Sequence, residues 1–240
     1  MLVGELWRYP VKSLQGERLD AAALGADGIE GDRRFALFDA DTGLGLTARR
    51  VPQLLFAAAH LRDDGTPQIT LPDGLIADGD AALSDWLGRR VELRAADLAS
   101  PRRYEVPADD ELDTDGPWRV FQGASRAFHD SGQARVSLVS TATVGDWDRR
   151  RFRANVLLDG EGEDALVDSR ITLGDAVLDV RQRLSRCVMT TRAQPGGIEL
   201  DPGVLRTIAR ERDACLAVGA LVRRAGVVRL GDRVGPVADD

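Results

Sequence analysis

Apolar and polar positions change over in short runs punctuated by turn residues, the rhythm of a strand-rich chain with few helices. "LVGELWRYPV" reads as an opening strand, and "RRFALFDADTGLGLTARR" as two short strands joined by an Asp/Thr/Gly turn, a hairpin signal. "PQITLPDG", "VELRAA", "RVSLVS" and "NVLLDG" supply further strands, while "RITLGDAVLDVRQRL" and "GALVRRAGVVRLGDRV" are strand and hairpin material. Helical spacing is local. In "DAALSDWLGRR", Leu83, Trp86 and Leu87 share a face, with Asp80 as cap. "DPGVLRTIARER" has Asp201 as cap and Pro202 at its first position, and the Ser and Thr residues around "TATVGDW" cap a short third helix. From about Asp97 to Ala134 the pattern dissolves into Asp, Gly and Pro, as in functional loops and links between domains. The expectation is an α+β fold, mostly β, with one domain over 1–115 and a second over 116–240.

Charge and composition narrow the function. A net charge of -7 argues against nucleic acid or an anionic membrane as the main partner. No apolar run approaches the roughly 20 residues that cross a bilayer, and the N-terminus lacks the regions of a signal peptide, so a soluble cytoplasmic protein is expected. Cys187 and Cys215 are the only cysteines and His60 and His129 the only histidines, too few for a four-cysteine iron–sulfur cluster or a closed zinc site. Redox chemistry would need another cofactor and an outside source of electrons. No Walker loop is present, nor a GxGxxG after a strand.

A few residues stand out as carriers of chemistry. Lys12, in "WRYPVKSLQGE", is the only lysine; every other basic side chain is arginine. A compact ammonium reaches a phosphate where a planar guanidinium does not fit. Cys187, in "RQRLSRCVMTT", lies among Arg181, Arg183, Arg186 and Arg192, and guanidinium groups favour the thiolate that attacks electrophiles and binds soft metals. A buried structural cysteine fits the same local sequence. Cys215 has apolar neighbours and reads as core. "DRRRFRANVLLDG" sets Arg149, Arg150, Arg151 and Arg153 before a strand, where a solvated basic face is the ordinary explanation. Arg153 and Asn155 alternate with apolar residues, however, and so project from one side, where they can hold a phosphate or a heterocycle. "GIEGDRRFALFD" adds Asp32, Arg33 and Arg34 beside a glycine turn, and "VSTATVGD" adds hydroxyls and helix N-terminal amides. His129 stands next to Asp130, and neighbours on a strand face opposite ways, so any hydrolase pairing of His129 with Cys187 would have to arise in space.

Taken in order, "YPVKSLQGE", "GIEGDRRFALFD" with "LTARRVPQLL", "STAT", "RRFRANVLLDG", "RITLGDAVLDV", "SRCVMTT" and "GVVRLGDRV" run along almost the whole chain. That ordered set resembles the MOSC domain family with its N-terminal β-barrel extension. The resemblance implies an N-terminal β-barrel-like domain, a MOSC β-barrel domain and a molybdenum–molybdopterin cofactor between them. Cys187 is implied as the thiolate ligand of the metal and the catalytic residue. Lys12, Ser13 and Arg33 match positions that hold the cofactor's phosphate and pterin, and Ser140 and Thr141 fall where the family places polar contacts. Arg153 and Asn155 match an RFRPN motif whose proline is replaced by Ala154, and Arg186 precedes the metal-binding cysteine. The implied activity is reduction of small N-oxygenated substrates, independent of pyridoxal phosphate. Electrons would come from a separate ferredoxin or flavoprotein reductase, and the protein would work as a monomer. The alternative function is a non-catalytic carrier of the cofactor or of sulfur.

Overall fold

The computed structural model describes residues 1–97, 102–108 and 116–237. Strands β1 (Leu2–Arg8), β2 (Glu17–Leu19), β3 (Ala21–Gly25), β4 (Gly28–Ile29) and β5 (Phe35–Asp39) open the fold. Next come the hairpin of β6 (Ala58–Leu61) and β7 (Pro67–Thr70), helix α1 (Gly79–Leu87), and β8 (Val91–Ala95), which pairs back onto β5. An antiparallel pair, β9 (Arg103–Pro107) and β10 (Trp118–Gln122), leads to β11 (Val136–Ser140), α2 (Thr141–Val144) and β12 (Val156–Asp159). Then follow β13 (Arg170–Leu173), β14 (Ala176–Ser185), α3 (Pro202–Arg212), β15 (Cys215–Arg224), β16 (Gly226–Arg229) and β17 (Val234–Pro236). The class is α+β, dominated by strands.

The largest sheet has eight strands in the order β17-β13-β14-β15-β11-β12-β1-β2, antiparallel except where β11 runs parallel to β12. It curls on itself: Leu2 bridges Arg233, and Val3 N donates to Asp232 O at 2.8 Å, so the β17 side returns to the start of β1. The boundary drawn at 115/116 borders residues 109–115, which lie outside the described residues, and the ladder joins β1 and β2 from before it with six strands from after it.

Period-two alternation explains how one strand serves two layers. Val136 and Leu138 of β11 point into the barrel with Leu6, Val156, Leu158 and Leu178, while Val139 faces the other way, toward Val204 and Ile208 of α3. A separate cluster of Val11, Leu14, Leu37, Leu54, Ile69 and Leu83 forms the core of the N-terminal lobe. Helix α3 starts as its sequence predicts, with the Asp201 carboxylate accepting from Gly203 N at 2.8 Å and Pro202 in the first turn.

Three local expectations are corrected. The hairpin in residues 33–50 closes at its Asp/Thr/Gly turn, where the Asp39 carboxylate accepts from Thr42 N at 2.8 Å, but its second arm is too short to be a strand: Asp39 N donates to Leu44 O at 2.9 Å and Leu46 N to Leu37 O at 2.8 Å around one bridge between Phe38 and Gly45, and the ladder partner of β5 is β8. Asp80 is not the cap of α1; Asp78 holds that position, and the Asp80 carboxylate accepts from Leu93 N at 2.9 Å, tying the helix to β8. The unpatterned stretch contains β9 and β10, whose apolar positions cover only one small cluster around Phe38, Tyr104 and Phe128.

Ser140 ends β11 and caps α2, its buried Oγ accepting from Thr143 N at 3.2 Å, while Thr141 Oγ1 accepts from Gly160 N at 3.1 Å. Ser140→Ala is expected to lower stability in a urea melt by about 1 kcal/mol; an unchanged midpoint would contradict the capping role.

Candidate functional site

Where the N-terminal lobe meets the open end of the barrel lies a cavity of about 410 Å³, a size suited to a small-molecule ligand. Seven of the nine residues singled out from the sequence line it: Lys12, Ser13, Arg33, Arg153, Asn155, Arg186 and Cys187. Ser140 and Thr141 do not. They sit at the far end of β11, committed to the cap and to Gly160, and the β11 residues that reach the cavity are Val136 and Ser137.

Local backbone geometry aims several of these side chains. Ser13, Arg33 and Arg153 adopt left-handed φ angles of 70°, 50° and 51°. For residues with a Cβ this costs about 1–2 kcal/mol each, and such strain concentrates at functional sites. The Arg33 and Arg153 guanidiniums stand over the Tyr9 ring, at 5.2 and 4.2 Å from its centroid. Arg33 also bonds Asp32 and donates to Arg153 O at 3.2 Å, and Arg153 donates to Leu14 O. Asn155 is spent on the scaffold: its Oδ1 accepts from Ser137 N at 3.1 Å and Ser137 Oγ at 2.9 Å, and its Nδ2 donates to Trp7 O at 3.2 Å. It therefore locks β1, β11 and β12 together beneath the cavity floor.

The lone lysine has a specific berth. Lys12, 7% exposed, donates to Asp130 and to Phe128 O at 3.0 Å, with its ammonium 4.6 Å from the centroid of the Tyr104 ring. Asp130 also accepts from Arg49 Nη2 at 2.9 Å. Burial pushes the Asp130 carboxyl up, but Lys12 and Arg49 outweigh it and hold the group well below the usual carboxylate range. Burial lowers Lys12 in turn, opposed by Asp130.

Cys187 ends the extension of β14, where the chain turns into the 3-10 helix Val188–Thr191. Its sulfur belongs to a residue 8% exposed that opens onto the cavity, so the purely structural cysteine does not describe it. Arg186 donates to Phe152 O, and burial lowers its pKa while the neighbouring Cys187 raises it. The loop after Cys187 is clamped by Arg151, which donates to Glu199 O at 2.8 Å and Thr190 O at 3.3 Å. The arginine run 149–153 is thus structural rather than a solvated face: Arg149 pairs with Glu5 at 2.6 Å, and Arg150 with Asp148 at 2.7 Å. Cys215, read from its neighbours as core, also lines the cavity, because its register opposite Ser185 at the strand end turns it that way.

Lys12, Arg33, Arg49, Arg135, Arg153, Arg183 and Arg186 line this cavity, against a single carboxylate, Asp130, among the described lining residues. Burial pushes Arg153 down to about 10, with Arg33 adding repulsion. Lys12, Arg135 and Arg153 are buried and the others half-buried, with Asp32 paired to Arg33 and Asp164 and Asp213 to Arg183 from outside the lining. The remaining excess of cations calls for an anion, and a cysteine sulfur in the same wall suits a soft metal. A phosphate-bearing, metal-carrying cofactor fits these residues.

His129, 6% exposed, lines the same cavity, and its Nε2 has no partner among the described residues, so it is not bonded to Cys187. Burial pushes its pKa from 6.5 down to about 3, with Arg33 contributing. A base whose folded pKa is depressed withdraws stability as pH falls below its unfolded value. Between pH 6.5 and about 4 the wild type should lose stability more steeply than His129→Gln, by up to about 1.4 kcal/mol per pH unit. Below 3.8, uptake of a proton by Asp130 in the unfolded chain, which the folded protein resists, adds to the loss in both proteins. Urea melts across this range provide the check; parallel slopes would show a histidine that titrates normally.

Comparison with known proteins agrees with this geometry. The MOSC N-terminal beta barrel domain matches residues 1–101 and the MOSC domain matches residues 119–235. The chain is 35% identical over 244 residues to mitochondrial amidoxime reducing component 2 of Bos taurus, covering 85% of this chain and 68% of that protein. It is 26% identical over 243 residues to molybdenum cofactor sulfurase of Drosophila grimshawi, covering 90% of this chain but only 31% of that protein's length. Among solved structures, the YUAD protein from Bacillus subtilis aligns with a TM-score of 0.45 at 12% identity, over 97% of this chain and 93% of the other. With two adjoining domain matches in order, and a relative alike over most of both lengths, the chain belongs to the MOSC family with an N-terminal MOSC β-barrel domain.

Proposed function

We propose that this MOSC protein is a molybdenum-cofactor-binding oxidoreductase that reduces small N-oxygenated substrates with electrons from a separate ferredoxin or flavoprotein reductase. Its kinship with proteins named for amidoxime reduction and for the molybdenum cofactor supports a cofactor-related role. The observation that carries the reading is the cation-walled cavity with Cys187 in its wall. Lys12, Ser13, Arg33 and Arg153 would hold the phosphate and pterin, and Cys187 would ligate the metal. When bound, the cofactor supplies the two-electron oxygen-transfer chemistry.

The chain's own residues supply position and charge. The Tyr9 ring holds Arg33 and Arg153 in fixed directions, so little side-chain freedom remains to be lost on binding. Arg186 stands beside Cys187 and is held by Phe152 O. Asn155 and Ser137 fix the floor. Among the described residues no helix is long and apolar enough to cross a membrane. The reading places the protein in the cytoplasm as a monomer.

Similarity to a molybdenum cofactor sulfurase favours a second reading, a carrier of the cofactor or of sulfur. Turnover of a benzamidoxime-type substrate with a reduced viologen dye separates the two: a reductase consumes it, whereas a carrier binds molybdenum and reduces nothing.

Purification from a cofactor-competent, molybdate-fed host, followed by metal analysis and pterin fluorescence, tests the reading directly; absence of both signals would overturn it. Cys187→Ser should fold normally yet lose bound molybdenum by about tenfold or more, and full occupancy would refute the ligand assignment. Lys12→Arg should weaken cofactor retention several-fold, because a guanidinium does not fit between Asp130, Phe128 O and the Tyr104 face. Unchanged metal content would reduce Lys12 to a partner of Asp130.

A further inference from the structure

An ammonium has three N–H donors and no acceptor, and those of Lys12 all meet protein groups. One donates to Phe128 O at 3.0 Å, one to the Asp130 carboxylate, and the ammonium stands over the Tyr104 ring, 4.6 Å from its centroid. The Lys12 side chain is therefore only 7% exposed, whereas that of Asp130 is 45% exposed. Of these three neighbours Asp130 is the one that lines the cavity, so its carboxylate covers the ammonium on the cavity side.

The same carboxylate bridges two cations, Lys12 through Oδ1 and Arg49 Nη2 through Oδ2 at 2.9 Å. Two cations joined through neighbouring oxygens of one anion are also what a phosphate-class group recruits. Asp32, the partner of Arg33, is held differently: its side chain is fully buried, and its Oδ1 accepts from Tyr9 N at 2.8 Å. Asp130 instead stands in residues 123–135, which contain no helix or strand. Rotation about its χ1 releases both cations toward the cavity and breaks no ladder bond.

We propose that Asp130 is a displaceable internal counter-anion: its carboxylate occupies the place on Lys12 and Arg49 that an incoming phosphate-class oxyanion takes, and swings aside when that oxyanion binds. A phosphate group, with more charge and more acceptor oxygens than one carboxylate, wins the two cations. Until then the carboxylate keeps the buried ammonium paired. Asp130 has this role only if Lys12 holds an anion, as proposed above, whether that anion belongs to the cofactor or to a substrate.

Lys12 is the only lysine of the chain, so full-length, cofactor-free protein labelled with 13C-lysine shows that side chain as one set of NMR signals. Inorganic phosphate, added at constant ionic strength, should move the Lys12 Cε signal saturably. By calorimetry, Asp130→Asn should bind phosphate about tenfold more tightly than wild type. In a Lys12→Met background the same change should leave binding as weak as in Lys12→Met alone, within about twofold. A carboxylate that only repels phosphate from a distance would give an equal gain in both backgrounds, and one that positions Lys12 for the anion would give a loss. Either result, or a stationary Lys12 signal, overturns the displacement; the lysine signal needs no variant, so a poorly folded one does not stop the test. In protein from a cofactor-competent host, slower loss of molybdenum on dialysis from Asp130→Asn than from wild type assigns the displacing oxyanion to the cofactor. Equal loss with tighter phosphate binding assigns it to a substrate group. If no preparation holds molybdenum while the phosphate results stand, the displacement survives and the cofactor reading fails.

Discussion

An excess of buried positive charge around one cavity is the constraint to which the rest of the site answers. Lys12 and Arg153, buried, gather there with the half-buried Arg33 and Arg186; Asp130 is the carboxylate among the described lining residues, and Asp32 pairs with Arg33 from behind the wall. Desolvation lowers Lys12, Arg153 and Arg186, and repulsion from Arg33 lowers each further. A fold keeps such an arrangement when a bound anion relieves it, since several kcal/mol stand against each uncompensated buried charge. The left-handed backbone at Ser13, Arg33 and Arg153 adds to the same load and points the same way.

The barrel makes that concentration of charge possible. Strands β1 and β2 complete a sheet otherwise built from the second half of the chain, so the segment that follows β1, carrying Lys12 and Ser13, is delivered to the barrel's open end. Asn155 secures the junction by bonding Trp7 of β1 and Ser137 of β11 from its place just before β12. The chain thereby brings Lys12, Arg33, Arg153 and Cys187 to one cavity, although more than a hundred residues separate the first from the last. The loop after Cys187 is held by backbone carbonyls bonded to Arg151, so the sulfur stands on a braced turn.

Much of this was legible in the sequence because the signals were local. Turn residues and period-two alternation marked the strands, Asp201–Pro202 marked the start of α3, and the lone Lys12 and the arginine-flanked Cys187 marked two walls of the cavity. What escaped depended on tertiary register. Ser140 and Ser137 lie three residues apart on one strand, and no local pattern says which of them reaches the cavity and which caps a helix. Cys215 looks like core until its pairing with Ser185 is known. His129 sits in a stretch without periodicity and Arg135 at the head of a strand, and neither position carries a local signal that it lines the cavity.

The claim that this charged cavity holds a molybdenum cofactor through the Cys187 sulfur is tested most directly by anomalous scattering at the molybdenum edge from crystals of cofactor-loaded protein. The account predicts a single anomalous peak in the cavity, at bonding distance from Cys187 Sγ, with phosphate density toward the Lys12, Arg33 and Arg153 side. A molybdenum peak elsewhere on the molecule, or one in the cavity with Cys187 Sγ turned away from it, would contradict the account.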